Sequence, residues 1–149
     1  MPLAQQSTIF YGNCHCGRLQ VEFTTSRNPR DTNPRACDCS FCQKHGAAYI
    51  SDPLGALRIV AAAPGALHSY RQGLGVARFL LCDQCGVLVA VIFEHNGHIY
   101  GAVNVGCLDQ RAIFGATISA SPQLLSPQDK TARWLQLWVP DVQLLTAGA

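Results

Sequence analysis

The chain has 149 residues, 48% hydrophobic and 13% charged, figures that exclude a disordered or fibrous protein and leave a single globular domain over residues 1–149 as the expectation. Eleven Lys and Arg against nine Asp and Glu give a net charge of +2, and the cations are scattered from Arg18 to Arg133 without a run. A nucleic-acid face or an anionic-membrane patch needs several cations together, so no nucleic acid and no membrane are expected as partners.

Taken in chain order, Leu19, Val21 and Phe23 alternate with Gln20, Glu22 and Thr24, the period of two of a half-buried strand. Residues 26–36 carry Asn28, Pro29, Asp31, Asn33 and Pro34 and read as a loop. Residues 40–45 allow one helical turn. Shorter strand candidates cover 57–60, 67–70 and 77–81. The clearest hairpin joins residues 87–94 to 98–105 across Asn96-Gly97, a pair that tolerates the positive φ angles of a type I′ turn. Residues 129–137 form the best helix candidate, with Asp129 as its expected cap and Trp134 and Trp138 read as core packing. Thirteen glycines and eight prolines cut the rest into short extended pieces, so the fold class expected is mainly β. No basic start precedes an apolar leader, and the longest apolar run, residues 87–93, is far below the ~20 residues that span a bilayer; the expected location is cytoplasmic.

Of the eight cysteines, all but Cys107 fall into tight groups: Cys14-His15-Cys16-Gly17, Cys37-Asp38-Cys39-Ser40-Phe41-Cys42 and Cys82-Asp83-Gln84-Cys85-Gly86. In a reducing compartment such grouping points to metal ligation or thiol chemistry rather than disulfides. Thiolates at this spacing close onto a soft ion. Zinc is the usual occupant of such a set, with iron in a rubredoxin-like site as the alternative. Cys14, Cys16, Cys82 and Cys85 combine into a closed four-thiolate structural site, with Gly17 and Gly86 giving the backbone freedom to fold around it. Cys37, Cys39 and Cys42 then hold a second ion by three sulfurs, its fourth position either open or closed by a remote ligand such as His45 or Cys107. Three thiolates leave zinc a formal charge of minus one, a poor generator of hydroxide but a good acceptor of a further thiolate. The chemistry implied is the making or breaking of a bond between carbon and a substrate sulfur.

At these residues the chain resembles the glutathione-dependent formaldehyde-activating enzyme family, which includes the centromere-protein V type domains. The resemblance lies in Gly12-Asn13-Cys14-His15-Cys16-Gly17, in the stretch from Cys37 to Gly46 and in Cys82 to Gly86, with weaker echoes at Arg78-Phe79, at residues 103–109 and at Trp134. The motifs span about residues 12–134. The resemblance implies an Mss4-like fold of several coiled antiparallel β-sheets with two zinc ions per chain. Cys14, Cys16, Cys82 and Cys85 would hold the structural ion and Cys37, Cys39 and Cys42 the catalytic one. It also implies carbon–sulfur lyase activity on a thiol such as glutathione and a small aldehyde, formaldehyde in the family's named member.

The reading that follows is a zinc-dependent carbon–sulfur lyase joining a glutathione-like thiol to a small electrophile, with His45 or a water moving the proton. Lys44, Arg71 and Arg78 are read as surface charge, and Cys107 as a small buried apolar residue. A non-catalytic, zinc-stabilised interaction or redox-sensing module is the competing expectation.

Overall fold

A computed structural model describes residues 6–72, 76–121 and 124–147, and in these the chain is mainly β, with its strands in two sheets. The four-stranded sheet is ordered β1 (Thr8–Asn13), β2 (Leu19–Thr25), β5 (Ala56–Ala61) and β11 (Asp141–Thr146). The seven-stranded sheet runs β10 (Ile118–Ala120), β3 (Arg35–Cys37), β4 (Ala48–Ile50), β9 (His98–Asn104), β8 (Leu88–His95), β7 (Arg78–Cys82) and β6 (Leu67–Tyr70). Neighbours are antiparallel except at two edges, where β11 lies parallel to β5 and β10 parallel to β3. The helices are α1 (Ser40–His45) and α2 (Pro127–Leu137). Among the described residues no helix is long and apolar enough to cross a membrane.

The expected period-two segment is β2, whose Leu19, Val21 and Phe23 are buried while Gln20 is exposed. The expected hairpin is β8–β9, and Asn96 and Gly97 adopt φ values of 51° and 79°, as its type I′ turn requires. The apolar run at residues 88–93 has a physical cause: it is buried on both faces of the large sheet. Val89, Ala90 and Ile92 join a core shared with Leu19, Phe23, Leu57 and Ile59 of the small sheet. Leu88, Val91 and Phe93 join a second core with Tyr49, Phe79 and Trp138. A strand with no polar face reads as continuous hydrophobicity.

Two local expectations need correction. Helix α2 starts before Asp129: Ser126 is its cap, the Ser126 hydroxyl accepting from the Asp129 N–H at 3.1 Å, and Pro127 fills the first turn, where its missing N–H costs nothing. Residues 26–36 are more than a loop, since they contain a 3-10 turn at Pro29–Asp31 and lead into β3. The Asn28 side chain accepts from the Arg30 N–H, and Gly115 N–H donates to the carbonyls of Pro29 and Thr32, pinning the segment to the chain near β10.

Gly12 is where β1 meets the turn that follows β9. It bridges to Leu108, and a Cβ placed on it would lie 2.0 Å from the carbonyl oxygen of Cys107. Because backbone on both sides blocks that space, Gly12→Ala is expected to cost about 3 kcal/mol or more in chemical denaturation. Gly106→Ala meets only the Asn104 side chain at 3.5 Å and should stay within about 1 kcal/mol of the parent. Equal losses for the two would show that close backbone approach does not limit position 12.

Candidate metal centres and the adjoining cleft

Two turns of similar construction bring Cys14, Cys16, Cys82 and Cys85 together. After β1, Cys14 N–H donates to the Leu19 carbonyl and Gly17 closes the turn at φ 86°; after β7, Cys82 N–H donates to the Val87 carbonyl and Gly86 closes it at φ 77°. Both glycines stand in the left-handed region, where a side chain would be strained. The four sulfurs lie within 4.8 Å of one another, with Cys14 to Cys16 at 3.7 Å and Cys16 to Cys82 at 3.5 Å. A disulfide needs about 2.05 Å, whereas thiolates arranged tetrahedrally around zinc at about 2.3 Å are separated by about 3.8 Å. The sulfurs are therefore spaced for an ion and not for each other.

Backbone N–H groups donate to these sulfurs. Leu19 N–H donates to Cys14 Sγ at 3.3 Å, and the N–H groups of Gln84 and Cys85 donate to Cys82 Sγ at 3.4 Å each. Burial works to raise the Cys85 thiol, but the N–H groups of Val87 and Cys16 outweigh it and hold the thiol at about 6. Beside the cluster, Arg18 pairs with Asp83 at 3.1 Å, joining the same two turns.

Cys37, Cys39 and Cys42 form a second set, their sulfurs also within 4.8 Å of one another. Cys37 ends β3, Cys39 caps α1 by accepting from the Cys42 N–H at 3.4 Å, and Cys42 is buried on the helix. Gly46, at φ 61°, ends α1 after a single turn and returns the chain to β4. The hydrogen bond from the Cys42 thiol holds Cys37 down at about 6, and that same sharing pushes Cys42 up: one proton serves two sulfurs, an arrangement ready to give way to a cation. Tyr49 Oη lies 3.3 Å from Cys42 Sγ, and burial raises the Tyr49 phenol, so with Cys42 as thiolate the hydroxyl is the donor. The Gln72 amide donates to Cys39 Sγ at 3.2 Å. Hydrogen bonds of this kind to ligand sulfurs orient them and spread their charge.

None of the other groups that the sequence analysis weighed completes this set. His45 is exposed on the last turn of α1 with its ring 4.7 Å from that of Phe41, and it does not line the cleft. Cys107 is buried, donates to the Leu88 carbonyl at 3.3 Å, has its thiol raised to about 12 by burial and the nearby thiolates, and belongs to neither cluster. Lys44 and Arg71 are exposed, and Arg78 pairs with Glu94 at 3.0 Å.

Among the described residues no fourth protein ligand joins the set, and a cleft partly open to solvent adjoins Cys37 and Cys42. Its walls include Tyr49, Phe79, Trp134 and Trp138, with Arg35 and Arg133. This corrects the reading of the tryptophans as core packing alone. Their rings stack at 4.6 Å and 16° and both lie about 5 Å from Phe93, at 5.2 Å and 5.5 Å, yet both also face the cleft. Arg35 and Arg133 were missed as site residues, though each carries a signal. Arg35 and Cys37 are two apart on one strand and so share its face. Arg133 and Leu137 are four apart on one helix and share that face.

Comparison with known proteins agrees with this geometry. Residues 9–123 match the sequence profile of the family described as glutathione-dependent formaldehyde-activating enzyme. The chain is similar to a crystal structure of a Rhodobacter sphaeroides protein, with 25% identity and a TM-score of 0.53 over 90% of this chain and 98% of that one. No curated protein matches the chain.

The two clusters are expected to differ in what they support. Protein prepared reduced and without chelator should carry up to two zinc ions by elemental analysis. Cys82→Ser removes a ligand that joins segments 66 residues apart and should cost several kcal/mol or prevent folding, given the roughly 10 kcal/mol that structural zinc contributes. Cys39→Ser should lower zinc content while leaving the melting temperature within a few degrees. Equal thermal losses would contradict this division, and folded, reduced protein without zinc would remove its basis.

Proposed function

The chain belongs to the glutathione-dependent formaldehyde-activating enzyme family, and from that premise we propose that it is a carbon–sulfur lyase uniting a glutathione-like thiol with a small aldehyde. The observation that carries the reading is the convergence of Cys37, Cys39 and Cys42 without a fourth side-chain ligand, beside a cleft that two of the three line. Zinc held by these sulfurs would supply an open position for the substrate thiolate, lowering that thiol's pKa while leaving its sulfur nucleophilic.

The protein's own groups divide the remaining work. Gln72 and Tyr49 fix the sulfurs of Cys39 and Cys42 by hydrogen bonds. The aromatic walls exclude water from one side of the reacting sulfur and orient the carbonyl. The thiol's S–H bond breaks, a bond forms between sulfur and the aldehyde carbon, and the carbonyl oxygen takes the proton, giving a hemithioacetal; the reverse step releases aldehyde and thiol. Water from the open side of the cleft delivers that proton, and His45, exposed on the helix that carries Cys42, exchanges protons with that water rather than with the substrate. Cytoplasmic reducing conditions would keep all seven clustered thiols available, as the other four hold the structural zinc.

Calorimetry with glutathione and S-methylglutathione tests this reading. The thioether keeps both carboxylates and the amine but cannot present an anionic sulfur. Glutathione should bind zinc-loaded protein at least tenfold more tightly, with affinity rising as pH approaches the thiol's pKa, because deprotonation produces the binding species. Equal affinities would reject a role for the thiolate and leave the metal-stabilised fold as the function of the cysteines.

A further inference from the structure

Two cations and no carboxylate line the cleft beside Cys37 and Cys42. Arg35 is half-buried and donates from Nη2 to Ser51 Oγ at 2.7 Å. Ser51 in turn donates to the Leu137 carbonyl at 2.6 Å. Among the described residues, the ion pairs take up Arg18, Arg27 and Arg78, and neither Arg35 nor Arg133 has a carboxylate within pairing distance. Both guanidinium-bearing residues line the same cleft. Arg27 pairs with Asp52 at 3.6 Å, whereas among the described residues Arg133 pairs with no carboxylate. Asp38 sits on the neighbouring strand end but accepts from Ser121 at 2.6 Å and does not line the cleft.

Keeping two guanidinium groups together in a partly buried place without a paired carboxylate costs stability, and a carboxylate-bearing ligand recovers it. Planar guanidinium groups with free donors match a carboxylate particularly well. The surrounding wall is otherwise apolar: Phe79, Val91, Trp134, Leu137 and Trp138. A fully hydrated anion such as inorganic phosphate would leave that wall in contact with water, whereas an aliphatic or aryl carboxylate satisfies both the charge and the wall.

We propose that Arg35 and Arg133 form a carboxylate-recognition site, so that the adduct handled beside Cys37 and Cys42 carries a carboxylate on an apolar body. This rests on the thiol chemistry proposed above and assigns to Arg35 and Arg133 the reading of an acid group on the adduct. That group belongs either to the thiol half or to the carbonyl half.

The test titrates 3-phenylpropanoate, which has the acid and an apolar body but no sulfur, into zinc-loaded protein by calorimetry. Binding should weaken by roughly tenfold or more for Arg133→Gln, and to a similar degree when 3-phenylpropanamide replaces the acid, since both changes remove a charge-assisted bond. Arg133→Lys should recover part of the loss. Arg133 is the informative position because Arg35 also holds Ser51. Displacement by glutathione but not by 2-mercaptoethanol supports the site and assigns the carboxylate to the thiol half; binding alongside glutathione supports it and assigns the carboxylate to the carbonyl half. Equal affinity of acid and amide, equal affinity of parent and Arg133→Gln, or no binding of the acid would overturn the inference. The cobalt-substituted protein separates this result from the underlying reading. A spectrum that responds to 2-mercaptoethanol while the acid fails to bind rejects the carboxylate site alone. A silent spectrum beside intact discrimination of acid from amide rejects the thiol chemistry and leaves the carboxylate site standing.

Discussion

Because both faces of β8 are buried, every residue from Leu88 to Phe93 must be apolar, and the strand becomes the partition on which the two halves of the molecule are built. On one side lies the core shared with the small sheet, and with it Cys14 and Cys82 of the four-sulfur cluster. On the other lies the smaller core that supports Cys42, Tyr49 and Trp138. The two sulfur clusters thus belong to different cores, and a change at one reaches the other only through a strand with no space to yield. Substitutions here propagate in both directions, since packed interiors transmit strain rather than absorb it.

The difference between the clusters follows from what surrounds them. Four sulfurs at the junction of two tight turns satisfy a soft ion completely and leave it no chemistry except cohesion. Three sulfurs at the junction of a three-residue strand and a one-turn helix leave a side unprotected, and the fold has placed aromatic and cationic side chains there instead of another ligand. Donors to the sulfurs differ too. Backbone N–H groups serve both clusters, but the three-sulfur set also takes hydrogen bonds from the Gln72 and Tyr49 side chains, which can be changed without rebuilding the backbone. A scaffold of this kind allows substrate preference to drift while the metal ligands stay fixed.

What was legible in the sequence was what acts locally. Cysteines two or three residues apart must share a site, Asn96-Gly97 must turn, and Leu19, Val21 and Phe23 must share a face. Strands β3, β4 and β10, at three residues each, are too short to display a period, so the edge of the large sheet was invisible in advance. The parallel pairing of β11 with β5 joins residues about 85 apart in sequence and has no local signature. The cleft was hidden for the same reason. Arg35 and Arg133 are nearly a hundred positions apart, and tertiary contacts such as the bond from Ser51 to the Leu137 carbonyl bring the strand of one beside the helix of the other.

That bond belongs to a graded attachment along α2. At its C-terminal end, Ser51 holds the Leu137 carbonyl, Val139 and Gly101 exchange two backbone hydrogen bonds of 2.8 Å and 3.0 Å, and β11 continues into the small sheet. At its start, Ser126 and Pro127 are exposed and the cap is the main restraint. Fraying therefore runs inward from the first turn and dies out before Trp134, so that amide protons exchange quickly at one end of the helix and slowly at the other. The aromatic wall sits at the slow end and keeps a constant distance from the sulfurs. A wall anchored in this way stays in register with the sulfurs even when the first turn of the helix opens.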